Sequence, residues 1–136
     1  MIAVYALVKF IAYSVWCGAG LRLATPSAAT LRASLGLGAI RWMLGLVFGV
    51  AIFFVAGTID AGSAARLYFT IYSPVRVVEW GIMSWLIASR SRGGLRPAPI
   101  GALALWCLGG ILVSFLTDAL SPEGLQGRFC VGRCLC

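Results

Sequence analysis

Ile71-Tyr-Ser-Pro-Val-Arg-Val-Val-Glu-Trp-Gly-Ile-Met-Ser-Trp-Leu-Ile87 places a proline, an arginine and a glutamate inside a long apolar run. How this stretch is read decides the fold. If residues 67–88 form one helix, Arg76 and Glu79 stand at i, i+3 near its middle and share a face. Either charge alone would cost about 2.5–3.5 kcal/mol at the centre of a membrane, so both belong toward the interior of a bundle, where they neutralise one another. Tyr68 and Tyr72 precede Arg76 by two turns and one turn, extending a polar stripe along that face. Pro74 removes one backbone hydrogen bond and kinks a helix that contains it. A rival reading takes Ser73 as an N-cap and Pro74 as the first residue of a new helix, with residues 60–72 lying along the membrane surface. A single kinked span is the expectation carried forward.

The rest of the chain sets the environment of that stretch. Of its 136 residues, 61% are hydrophobic and only 11% charged, with a mean hydropathy of +0.98. A soluble domain uses roughly a quarter charged residues to cover its surface, and this chain has too few. A spanning helix needs about 20 apolar residues, so the length fits about four spans in one membrane domain. The apolar blocks cover about 2–24, 35–58, 67–88 and 100–117, with a short tail at 118–136. The expected fold class is an all-α integral membrane protein: four helices in a small bundle, the third kinked or broken at Pro74.

The net charge is +7, and the chain has no histidine. No basic cluster lies on a polar helix, which argues against nucleic acid as a partner. Basic loops beside apolar spans suit anionic lipid headgroups. The absence of histidine removes the commonest metal ligand and general base, and with them Ser-His or Cys-His catalysis within the chain. Arg22 and Arg32, with Arg41 at the edge, mark the first loop; Arg90, Arg92 and Arg96 mark the third. Asp60, Asp118 and Glu123 fall on the other side, together with Arg66, Arg128 and Arg133. The positive-inside rule then places the basic loops in the cytoplasm and both termini outside. Usage rich in Arg, Ala and Gly resembles that of a high-GC bacterial genome, which suggests a bacterial cytoplasmic membrane. The first block lacks a basic n-region and a clean cleavage site, and is read as a retained span.

Other residues invite a role. Tyr5, Lys9 and Tyr13 follow one another at i+4 steps. Lys9 is expected to snorkel to the outer surface; the sharper reading turns it inward, toward Glu79 or an anionic ligand. Gly45 and Gly49 form a GxxxG pair, a flat strip for helix packing. Cys17 and Cys107 read as small core residues, whereas Cys130, Cys134 and Cys136 crowd the C-terminal end as a disulfide or thiol cluster. Trp42 and Trp85 sit near the ends of spans, where an aromatic belt is expected. Trp16, Trp80 and Trp106 lie deeper, as packing residues or as contacts for a lipid, or for a pigment or quinone held by a partner. No cofactor or metal site is expected of the chain itself.

Small four-span families supply partial likenesses only. Gly36-Leu-Gly-Ala-Ile-Arg-Trp42 resembles the glycine–arginine start of fluoride channels, but their later phenylalanine–threonine signature is missing. The first span lacks the key glutamate of small multidrug exporters, and no Cys-x-x-Cys pair of a thiol–quinone oxidoreductase is present. The leading functional expectation is a small non-catalytic accessory or structural subunit of a larger membrane complex. The alternative is a membrane enzyme or small oligomeric transporter handling a lipid headgroup or anion through Arg76 and Glu79, with Tyr72 and Lys9 beside them.

Overall fold

The computed structural model describes residues 2–56, 64–91 and 100–121. They form four helices and no strand: α1 (Ile2–Ala24), α2 (Leu31–Ala56), α3 (Ala64–Ser91) and α4 (Ile100–Ala119), with a short 3₁₀ turn at Pro26–Ala28 between the first two. Three stretches, Ala3–Ala24, Leu31–Phe54 and Ile100–Ala119, are long and apolar enough to cross a membrane. The remaining helix, α3, is 28 residues long and runs through Pro74 without interruption. No new helix begins at Pro74, and Ser73 caps nothing.

The helix boundaries differ from the sequence blocks for local reasons. Pro26 supplies the fixed φ that starts the 3₁₀ turn and lacks the N–H that would continue α1. Thr30 then caps α2, whose first residue, Leu31, comes four residues before the apolar pattern starts. The Thr30 hydroxyl accepts the backbone N–H of Ala33 at 3.2 Å, satisfying one of the donors a helix start leaves bare. At the other boundary α4 continues past Thr117 to Ala119, so Asp118 belongs to the helix rather than to a polar tail.

Cross-helix pairs establish the topology. Gly38 approaches Ser14, and Gly18 approaches Ser34, so α1 and α2 run antiparallel. Lys9 pairs with Asp118 while Trp16 pairs with Trp106, which makes α4 antiparallel to α1. Trp80 meets Ser114 and Arg76 meets Asp118, so α3 and α4 are antiparallel too. The helices therefore alternate up and down, and α4 closes back on α1. One end of the bundle gathers the start of α1, the end of α2, the start of α3 and the end of α4; we call it the Asp118 end. The opposite end carries the 3₁₀ turn.

Close packing in the turn-side half depends on glycine. Trp16 donates its indole N–H to the Trp106 carbonyl at 3.1 Å, and Trp106 returns the bond to the Trp16 carbonyl at 2.8 Å. Each ring lies over a glycine of the opposite helix, Trp106 on Gly20 and Trp16 on Gly109. A Cβ on Gly20 would come within 2.5 Å of the Trp106 ring, so only glycine leaves room for it. Around this clasp lies an apolar core of Cys17, Leu21, Leu37, Met83 and Ile87, each with no exposed surface. Large apolar side chains such as Val15, Phe54, Leu105 and Leu112 cover the outside.

Candidate functional site

Among the described residues five charged side chains are buried, and each of the four helices contributes at least one. They form an alternating chain of cations and carboxylates. Lys9 Nζ lies 2.6 Å from Asp118 Oδ1, and Arg76 Nη2 lies 2.6 Å from Asp118 Oδ2. Arg76 Nη1 lies 2.8 Å from Glu79 Oε2, the i, i+3 contact within α3, and Arg41 Nη2 reaches the same oxygen at 2.7 Å. In space the order is Lys9, Asp118, Arg76, Glu79, Arg41. Among the described residues three cations face two carboxylates, leaving one positive charge in excess.

The two carboxylates are held differently. Asp118 receives four donors: Lys9, Arg76, the Tyr68 hydroxyl at 2.9 Å and the Tyr5 hydroxyl at 3.3 Å. Both of its oxygens are occupied, as a buried carboxylate requires. Glu79 takes two arginines on Oε2 alone, and its Oε1 is buried with no hydrogen-bond partner. Arg41 is similarly half used. Its Nη2 also donates to Ser114 Oγ at 3.1 Å, whereas Nη1 and Nε are buried without partners. Ser114 is fully engaged, accepting the Trp80 indole N–H at 2.9 Å and donating to the Gly110 carbonyl at 3.0 Å.

Aromatic rings line this chain of charges. The Arg41 guanidinium lies 4.6 Å from the Tyr13 ring and 5.1 Å from the Trp80 ring, and Arg76 lies 5.5 Å from the Tyr72 ring. Such faces attract a cation most where water is absent. Tyr72 stacks on Tyr68 at 4.6 Å, next to Ile52.

The position of the charges along the bundle is asymmetric. Asp118, Lys9, Tyr5 and Tyr68 lie nearest the Asp118 end. Arg76, Glu79, Arg41 and Ser114 follow inward over about two helical turns, on the order of 10 Å. Beyond Trp80 the interior is the apolar core and the tryptophan–glycine clasp. The interior is thus polar in one half, here called the well, and apolar in the other. A separate cavity of about 730 Å³ lies between α1 and the start of α2, near Ser14, Gly18, Arg22 and Ser34.

Arg76, Glu79, Tyr72 and Lys9 all fall in the well, but Lys9 does not snorkel outward. Its Nζ turns inward, and its partner is Asp118 rather than Glu79. The two residues that sequence reasoning missed are Arg41 and Asp118, which had been assigned to a loop edge and a tail. Each carries a usable signal: Arg41 lies one turn before Gly45, inside an unbroken apolar pattern, and Asp118 lies in the last turn of the 20-residue α4, directly after its apolar run. Gly45 does not pack against another helix backbone; its open side faces Arg41 and Glu79. Gly49 is buried in the same helix. Cys17 is fully buried and Cys107 half-buried, both as free thiols. Cys130, Cys134 and Cys136 lie outside the described residues, as do Asp60, Glu123 and the arginines at 92, 96, 128 and 133. No family model matches the chain, and no curated protein or solved structure shows significant similarity to it.

Proposed function

We propose that this is a four-span integral membrane protein whose polar well binds a small anion or an anionic headgroup, as the centre of a small transporter or lipid-handling protein. The observation that carries this reading is the buried excess of one cation, assembled from all four helices in one half of the bundle. An uncompensated charge in an apolar interior is costly, and a bound anion would neutralise it. In this reading α3 crosses the membrane as the fourth span, kinked at Pro74, with its two charges turned inward. Among the described residues, Arg22, Arg32 and Arg90 are exposed at the turn end and Arg66 at the Asp118 end. That bias supports a cytoplasmic turn end, with the well facing outward in a bacterial cytoplasmic membrane.

The test is the thermal stability of the purified protein against a panel of anions at constant ionic strength. An anion that occupies the well stabilises the fold by about 2.7 kcal/mol at a hundred times its dissociation constant. Equal melting temperatures across anions and neutral solutes would rule the reading out.

A second reading, a non-catalytic accessory subunit of a larger membrane complex, is favoured by a different observation. Gly36, Gly81 and Gly101 are exposed, with open space where a Cβ would stand. Flat outward spots on three helices suit close approach by a neighbouring helix. Stoichiometric partners co-purifying from the native membrane in mild detergent would support it; a lone protein would not.

A further inference from the structure

The inner end of the well contains a notch with chemistry of its own. A Cβ built on Gly45 would lie 3.4 Å from Arg41 Nη1 and 3.8 Å from Glu79 Oε1. Both atoms lack hydrogen-bond partners, as do Arg41 Nε and Arg76 Nε in the same charge chain, and both sit on side chains with no exposed surface. The glycine, the bare N–H and the bare carboxylate oxygen therefore face one small space. A buried polar atom without a partner is costly, and two of opposite kind side by side mark a position for a group that serves both.

We propose that the Gly45 notch, with Arg41 and Glu79, binds a singly charged oxyanion that carries one O–H: inorganic phosphate as its monoanion, bicarbonate, or the phosphomonoester of a lipid headgroup. The inference rests on the anion-well reading and narrows it to a ligand class. Two constraints select that class. The excess of one positive charge calls for a single negative charge. The paired orphans call for a ligand that accepts from Arg41 Nη1 and donates to Glu79 Oε1. Chloride and nitrate have the charge but no donor, so they would turn a lone pair toward the Glu79 carboxylate. Neutral alcohols have the donor and acceptor but not the charge. A protonated oxyanion satisfies both constraints, and its charge-assisted bond to Arg41 is of the strong kind. Trp80, against the Arg41 guanidinium, places a fluorophore beside the site.

The experiment compares binding of inorganic phosphate, bicarbonate and nitrate to the full-length protein in detergent at neutral pH, where the phosphate monoanion and bicarbonate are both abundant, by calorimetry and by tryptophan fluorescence. A parallel arm uses phosphatidylcholine vesicles with and without phosphatidic acid. Gly45→Ala is the deciding variant. Its methyl makes only ordinary contacts at these distances, so the fold is retained, but it occupies the notch. Glu79→Gln is the second variant, replacing a pure acceptor by a group that also donates.

Phosphate or bicarbonate should bind at least about tenfold more tightly than nitrate, and Gly45→Ala should remove that preference, the worth of one hydrogen bond to a charged group. Glu79→Gln should bring nitrate level with phosphate. A response to phosphatidic acid but not to free phosphate keeps the ligand class and makes the lipid its source. Nitrate or chloride binding as tightly as phosphate in both the parent and Gly45→Ala overturns the ligand class and leaves the well. If no anion binds or stabilises the protein, both readings fall.

Discussion

Asp118→Asn is the most informative single change, because one atom replaces a charge that holds side chains of two other helices, α1 and α3. Asp118 accepts Lys9 and Arg76 at 2.6 Å each, and two tyrosine hydroxyls besides. The amide keeps the shape but loses the charge and one acceptor. Arg76 retains Glu79 as a counterion. Lys9 retains only the Tyr5 hydroxyl at 3.0 Å. Removing one partner of a buried ion pair costs about 3–5 kcal/mol, most of it the penalty of the stranded charge. Here the stranded charge is Lys9, so adding Lys9→Met should return about 1–3 kcal/mol. The assay is thermal unfolding of the purified protein in mild detergent, followed by tryptophan fluorescence, with size exclusion to verify assembly. The single variant should melt about 10 °C or more below the parent, and the double variant should melt above the single one. If the single variant melts with the parent, or the two changes simply add, the network does not hold the bundle together.

Three further outcomes test the packing and the environment. Leu112 is 63% exposed near the middle of α4, so Leu112→Arg should reduce membrane insertion by about 2.5–3.5 kcal/mol, as read by a glycosylation or fractionation reporter. No change in insertion would mean that this face does not meet lipid. Gly20→Val should cost about 1–3 kcal/mol in a denaturation series, because its side chain collides with the Trp106 ring and opens the α1–α4 clasp. Trp80→Phe deletes the indole donor to Ser114 and should cost about 1 kcal/mol in the same series, while Trp85→Phe, at a 60% exposed position, should cost almost nothing.

Parts of this architecture are legible without coordinates. The i, i+3 spacing of Arg76 and Glu79 dictates their contact once the segment is helical. Tyr68 and Tyr72 follow on the same face by the same periodicity. The apolar blocks announce α1, α2 and α4 because length and hydropathy are local properties. Boundaries were harder. Thr30 caps α2 through a hydroxyl-to-backbone bond that the apolar pattern does not register, and Asp118 looked like the start of a tail because a lone charge after an apolar run has no local partner.

The sequence by itself determined that this chain is helical and apolar, that it has no histidine to use, and that α3 carries an arginine and a glutamate on one face. These follow from composition and from the period of one helix. Only the tertiary structure decided that Lys9 turns inward to Asp118, that Arg41 joins Arg76 on one oxygen of Glu79, and that Gly45 stands beside two unpartnered polar atoms instead of a helix backbone. The physical reason is separation along the chain. The partner of each of these charges lies on another helix, 109 residues away for Lys9 and 38 for Arg41. Which helices neighbour one another, and at what register, is set by interlocking surfaces such as the Trp16–Gly109 and Trp106–Gly20 clasp. That complementarity arises between elements, so no periodicity within a single helix encodes it.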